Sequence, residues 1–139
     1  MDTVEAAQRW AQTLREAWPS GTPEAFIALY ADDAVYRTVP SDSVENGREH
    51  MRRSLAIGEP HPDVWVGEPV VADGYAVVEW WAVITMDGAE LTFAGSAWVR
   101  FDADGRVVEE HDYGRRFDGR VEPWRGWGGG SGADMRDEA

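Results

Sequence analysis

Near its C-terminal end the sequence reads VVEEHDYGRRF, which sets Glu110, His111 and Asp112 in succession. The run is strand-forming, and alternation along a strand puts Glu110 and Asp112 on one face and His111 on the other. A carboxylate held against apolar walls has a raised pKa, which suits a general base or acid near neutral pH. Asp112 is therefore the first candidate for chemistry, with an ion pair to Arg116 or Arg37 as its structural alternative. Glu110 on the same face can share a proton with it, each raising the other's pKa. The plainer expectation is that Glu110 sits at an open rim in water. His111 points away, so it forms no catalytic pair with Asp112. Tyr36 can donate a hydrogen bond to a substrate carbonyl or hold a water, and Thr38 is a weaker polar handle beside it.

These residues need elements to position them. Asp2 followed by Glu5 resembles a capping box, and Val4, Ala7, Trp10 or Ala11, Leu14 and Trp18 recur at helical spacing, predicting a helix over residues 3–18. Thr22 as N-cap and Pro23 in the first turn open a short second helix carrying Phe26, Ile27, Leu29 and Tyr30 and ending near Ala31. Ala34 to Val39 reads as a strand stopped by Pro40, and a third helix runs from about Gly47 to Ile57. Asp73-Gly74, Asp87-Gly88 and Asp104-Gly105 are turn signals between strand-forming stretches. They imply consecutive antiparallel strands at about 63–72, 75–86, 90–102 and 106–117. The fold class is α+β in a single domain over residues 1–121. GWGGGSG opens a tail over 122–139 with little to bury, expected to be flexible.

Composition narrows the chemistry. The chain has no cysteine, which removes disulfides, zinc-thiolate sites and thiol nucleophiles and fits a reducing compartment. A net charge of -13 repels nucleic acid and anionic membrane surfaces. No apolar run approaches the ~20 residues of a membrane span and the N-terminus is no signal peptide, so a cytoplasmic location is expected. His50, His61 and His111 lack ligand spacing, so no metal site is expected, and no cofactor motif is present. Arg48, Arg52 and Arg53 read as a solvated helix face. Eight tryptophans are more than a core of this size needs, and large aromatics in excess line pockets or interfaces.

Three stretches, FIALYADDAVYRTVP, GREHMRRSL and FDADGRVVEEHDYGRRF, in this order and spacing, resemble the nuclear transport factor two-like superfamily. That group includes ketosteroid isomerase, SnoaL-like polyketide cyclases, limonene epoxide hydrolase and scytalone dehydratase. The resemblance covers about residues 3–117 and implies a cone: three N-terminal helices packed in a strongly curved antiparallel sheet. In register with the family, Tyr36, Thr38, Val78, Trp80, Ala82, Ile84, Ala97, Val99, Phe101, Glu110, Asp112 and Gly114 face the cone's interior. Ketosteroid isomerase needs a carboxylate base with a tyrosine and a protonated aspartic acid as oxyanion hole. The matching positions are Thr38, Leu14 and Ala97, which cannot do that chemistry. Limonene epoxide hydrolase matches better at Tyr36, Thr38 and Asp112. Its arginine falls near Val78 or Trp80 and its second aspartate near Trp80 or Ala82, so its proton-relay triad is incomplete here. The SnoaL-like branch retains an aspartate, as acid and base, in the region of Asp112.

The resemblance thus implies a largely apolar pocket with Asp112 and Tyr36 catalytic. Thr38, Trp80, Phe26, Tyr30, Met51, Leu55, Ile84, Ala97, Val99 and Glu110 would touch the substrate. The expected activity is cofactor-independent isomerase, cyclase, dehydratase or epoxide hydrolase chemistry on a small apolar molecule; the other reading is a non-catalytic binding or dimerisation module. The opposite sheet face carries Trp81, Trp98, His111 and Tyr113, a surface suited to a homodimer, unless the segment EPWRGW folds back over it.

Overall fold

The computed structural model describes residues 1–129. The first helix, α1 (Thr3–Ser20), opens where expected: the Asp2 side chain accepts from the Glu5 amide, and Gly21 closes it in the left-handed conformation. Its buried face is Ala6, Ala7, Trp10, Ala11, Leu14, Ala17 and Trp18, repeating every three to four residues. The second helix is a single turn, α2 (Glu24–Ile27), with Pro23 rather than Thr22 at its N-cap.

The expected continuation of that helix to Ala31 does not form. The Leu29 carbonyl instead accepts from the Val107 amide at 2.9 Å, and Tyr30 already pairs with the last strand. Sheet pairing captures the backbone at the point where helical periodicity alone would have carried it on. The result is β1 (Tyr30–Arg37), followed by a short strand not foreseen from the sequence, β2 (Val44–Asn46). Asn46 caps α3 (Gly47–Ser54), accepting from the Glu49 amide. The helix ends three residues before Ile57, its last turn tightening through the bonds from Ala56 to Arg53 and Ile57 to Ser54.

The remaining strands are β3 (Asp63–Val66), β4 (Val70–Ala72), β5 (Tyr75–Met86), β6 (Ala89–Phe101) and β7 (Val107–Asp118). The single strand expected over 63–72 is thus two, both paired with β5. Pro69 has no amide to give the ladder, and the Glu68 amide goes to the Gly128 carbonyl instead. At the β5–β6 hairpin, Asp87 and Gly88 both take positive φ, as a two-residue turn of this twist requires.

The strand order is β2-β1-β7-β6-β5-β3, with β4 also on β5. Every pair is antiparallel except β1 with β7, so the sheet is mixed. The concave face carries Val78, Ala82, Ile84, Ala97, Val99 and Val107, all buried in one core with residues of α1 and α2. Gly47 lets α3 approach β1: a Cβ there would lie 3.2 Å from that of Ala34.

The segment after β7 corrects the expectation of a free tail from residue 122. Pro123 and Trp127 are buried, and the Trp124 and Trp127 rings meet Trp81 edge-on at 5.8 and 5.7 Å. The Trp81 indole donates to the Val121 carbonyl at 2.7 Å, and Arg120 bridges Asp63, Glu90 and Glu122. Trp81 is therefore covered by its own chain and leaves the expected dimer surface. The rest of the expected tail, from Gly130, lies outside the described residues. No helix among the described residues is long and apolar enough to cross a membrane.

Candidate functional site

A cavity of about 300 Å³ opens between the helices and the concave face of the sheet. The α1 face supplies Trp10, Leu14 and Trp18 at successive four-residue steps, and α2 supplies Phe26. On the other side, His50, Met51, Ser54 and Leu55 come from α3 and the turn after it. The sheet contributes Tyr36, Trp80, Ile84, Ala97, Glu110 and Asp112.

One wall is made by a ring lying flat. Trp80 pairs with Gly95, which pairs with Gly114, so two glycines stand side by side beneath the Trp80 indole. A Cβ at Gly114 would lie 3.0 Å from that ring; one at Gly95 would lie 2.9 Å from it and closer still to the Tyr113 carbonyl and the Gly114 Cα. Two missing side chains make the space in which the ring lies across three strands.

The polar end is built on β7. Glu110 is opposite Val99 on β6 and Tyr36 on β1, and Asp112 is opposite Ala97. Glu110 is not at a rim: it is 2% exposed, and the expectation of a solvated side chain fails. The reason lies behind it, where the buried Tyr30 hydroxyl donates a short hydrogen bond to Glu110 Oε1 and accepts one from the Trp10 indole at 3.2 Å. Burial, and then the neighbouring Asp112 carboxylate, push the Glu110 carboxyl well above the usual range. Asp112 is also raised by burial, opposed by hydrogen bonding from Glu110 and by the charge of His50. The two carboxyls titrate as a coupled pair, and the rise is greater for the more enclosed Glu110.

The expected alternative for Asp112 is not formed, since Arg37 pairs with Glu109 at 2.7 Å and Arg116 with Asp118 at 3.6 Å. Asp112 Oδ1 is buried without a hydrogen-bond partner among the described residues, as is the Trp18 indole nitrogen on the same cavity wall. Burial, then the Asp112 and Glu110 charges, raise the Tyr36 phenol, so it stays protonated and acts as a donor. The His50 ring stacks on Tyr36 with centroids 3.4 Å apart. Its Nδ1 meets Glu45 at 3.3 Å and its Nε2 meets Ser54 Oγ at 3.0 Å, while burial lowers its pKa.

Among the residues expected at the site, Asp112, Tyr36, Trp80, Phe26, Met51, Leu55, Ile84, Ala97 and Glu110 line the cavity. Tyr30 stands behind Glu110, and Val99 is fully buried core. Thr38 is exposed, because β1 ends at Arg37 and the chain turns away, its amide bonded to Ser43. Among the residues not foreseen, His50 and Ser54 share one helical face with Met51 and Leu55, a spacing that would have revealed them. Arg48, Arg52 and Arg53 pair with Asp32, Glu24 and Glu45 at the surface. No group of acids and histidines able to hold a metal occurs among the described residues.

The family model of the SnoaL-like domain matches residues 11–110, more than half of the chain. The chain belongs to the SnoaL-like family. A solved structure similar to this SnoaL-like chain is a hypothetical protein with ketosteroid isomerase-like protein fold from Catenulispora acidiphila DSM 44928, in complex with trimethylamine. The two align with a TM-score of 0.60 and 20% identity, over 75% of this chain and 83% of that one, a likeness of fold. No curated protein matches the chain. Fold and family are consistent with a small-molecule-binding domain.

Proposed function

We propose that this SnoaL-like domain catalyses a cofactor-independent proton transfer on a small, largely apolar molecule, with Asp112 as the base. The observation that carries the reading is the Asp112 carboxyl on an apolar cavity wall, beside the buried Glu110 and with Oδ1 unpartnered among the described residues. A base in a dry cavity is more effective than one in water, because no hydration shell must be stripped when it reacts. Asp112 takes a proton from a carbon acid or from a bound water. Tyr36 donates to the oxygen on which charge develops, and Glu110 returns a proton to the product. Isomerisation, cyclisation, dehydration and epoxide hydrolysis all use these steps. Ketosteroid isomerase chemistry is not proposed, since Leu14 and Ala97 stand on the wall where its oxyanion donors would be.

A substrate-independent assay tests this. A nitrobenzisoxazole loses its ring proton to a base while its N–O bond opens to a phenolate and a nitrile. Wild-type protein is expected to accelerate this elimination and Asp112→Asn to abolish the acceleration at unchanged circular dichroism. Equal rates in the two proteins would remove Asp112 from the role.

The second reading, a dimerisation module, is favoured by the outer sheet face. Trp98 stacks on His111 with centroids 5.8 Å apart, Tyr113 meets both rings edge-on, and Tyr113 and Phe117 are about half exposed. A homodimer through this face, without Trp81, would cover it. Both readings hold together if the dimer leaves the cavity open.

A further inference from the structure

The cavity wall carries two carboxylates and no arginine, and the chain contains no lysine at all. The arginines next to wall residues in sequence are engaged elsewhere: Arg9 with the Gly105 carbonyl, Arg15 with the Val66 carbonyl, Arg37 with Glu109, Arg52 with Glu24 and Glu49, Arg53 with Glu45, and Arg115 over the Phe117 ring. His50 is the remaining basic group on the wall, and both its ring nitrogens are occupied by Glu45 and Ser54. An ionised Asp112 in this cavity is therefore met by no arginine or lysine among the described residues, and only weakly by the His50 and His111 rings. Buried charges in folded proteins are paired or fully hydrogen-bonded; Glu110 and Tyr36 bond the Asp112 carboxyl, yet its Oδ1 has no partner among the described residues.

The rest of the wall suits a positive guest. Trp10, Trp18, Trp80 and Tyr36 surround the space, and aromatic faces attract a desolvated cation as well as packing its alkyl groups. A net charge of -13 would raise the local concentration of cations and lower that of anions. A neutral alcohol of the same shape would give Asp112 a hydrogen bond but leave its charge unbalanced, and a carboxylic acid would be repelled.

We propose that the ligand of this cavity is a small protonated alkylamine, its ammonium group against the Asp112 carboxylate and its alkyl groups against Trp18, Trp80 and Tyr36. The inference rests on reading the cavity as a ligand site and adds the chemical class. A volume of about 300 Å³ is at the small end of ligand pockets, so the amine carries compact substituents.

Calorimetric titration with cyclohexylamine and cyclohexanol at neutral pH tests it, because the two share a ring and differ in charge. The amine is expected to bind wild-type protein at least about tenfold more tightly than the alcohol. Asp112→Asn is expected to bring the ratio to near one while alcohol binding persists. Equal or tighter binding of the alcohol would overturn the amine inference and leave the cavity as a ligand site. Binding of neither would overturn both. An amine preference that survives Asp112→Asn would overturn the placement of the charge. The wild-type comparison needs no variant, so it decides the matter even if Asp112→Asn fails to fold.

Discussion

The Tyr30 hydroxyl donates to Glu110 across 80 positions of sequence, from the first strand to the last, in a part of the core closed to solvent. This contact ties β1 to β7 at the polar end of the cavity and fixes which of two neighbouring carboxyls is enclosed. Tyr30→Phe would leave the Glu110 carboxyl one donor short and the Trp10 indole without its acceptor. The expected loss is about 1–3 kcal/mol in urea unfolding. Since the bond from Tyr30 lowers the Glu110 pKa, its removal should raise that pKa further.

The carboxyl pair gives stability a definite pH dependence. Both groups have pKa values raised above those of the unfolded chain, so the folded state binds their protons more tightly. Their contribution is fully present at acid pH, below the ordinary carboxylate range. It is lost as pH rises from that range through the raised values of the pair. Glu110→Gln removes one titrating group while keeping an acceptor for Tyr30. The unfolding free energy of Glu110→Gln minus that of wild type should therefore increase with pH over this interval. Asp102, lowered by the Arg106 amide, has the opposite dependence but is common to both proteins. A difference independent of pH would count against the raised values.

Gly114→Ala places a methyl group about 3 Å from the Trp80 ring. The ring must tilt into the cavity, at an expected cost of about 1–3 kcal/mol. Ligand binding should weaken by more than this loss of stability explains, with a change in tryptophan fluorescence. Unchanged binding would mean that Trp80 does not bound the ligand space.

Trp127 is 3% exposed against Trp81, although it follows the last strand. Trp127→Ala should cost about 3 kcal/mol in denaturant unfolding, comparable to a core aromatic. A change within about 0.5 kcal/mol would be that of an ordinary surface site.

The outer face allows a direct hydrodynamic check. Trp98→Glu puts a charge in the stack formed with His111 and Tyr113. It should convert a wild-type dimer to a slower-sedimenting monomer in the ultracentrifuge. A wild-type protein that sediments as a monomer at high concentration contradicts the dimer.

Much of this arrangement was legible because its signals are local. The Asp2 cap, the Asp-Gly turns and the alternation along β7 each depend on neighbours in sequence, and they correctly separated Asp112 from His111 and set Tyr36 and Asp112 on the cavity wall. The failures came where distant backbone decides. Tyr30 was drawn from helix into strand by β7, the 63–72 segment was divided where Glu68 bonds to Gly128, and the segment from 122 was held down by Trp81. The burial of Glu110 escapes a local reading for the same reason, since the group that encloses it lies 80 residues away. Thr38 failed because alternation was extended one residue past the end of its strand.

In the proposed site Glu110 and Asp112 share one proton inside an apolar cavity, with Asp112 ionised. Carbon-13 NMR titration of the side-chain carboxyls tests it most directly and needs no ligand. Two coupled steps are expected, with Glu110 losing its proton last and well above the ordinary carboxylate range, and with that final step moving down in Asp112→Asn, where the neighbouring charge is gone. Independent titration of both groups in the ordinary range, unaffected by that substitution, would show that they share no proton.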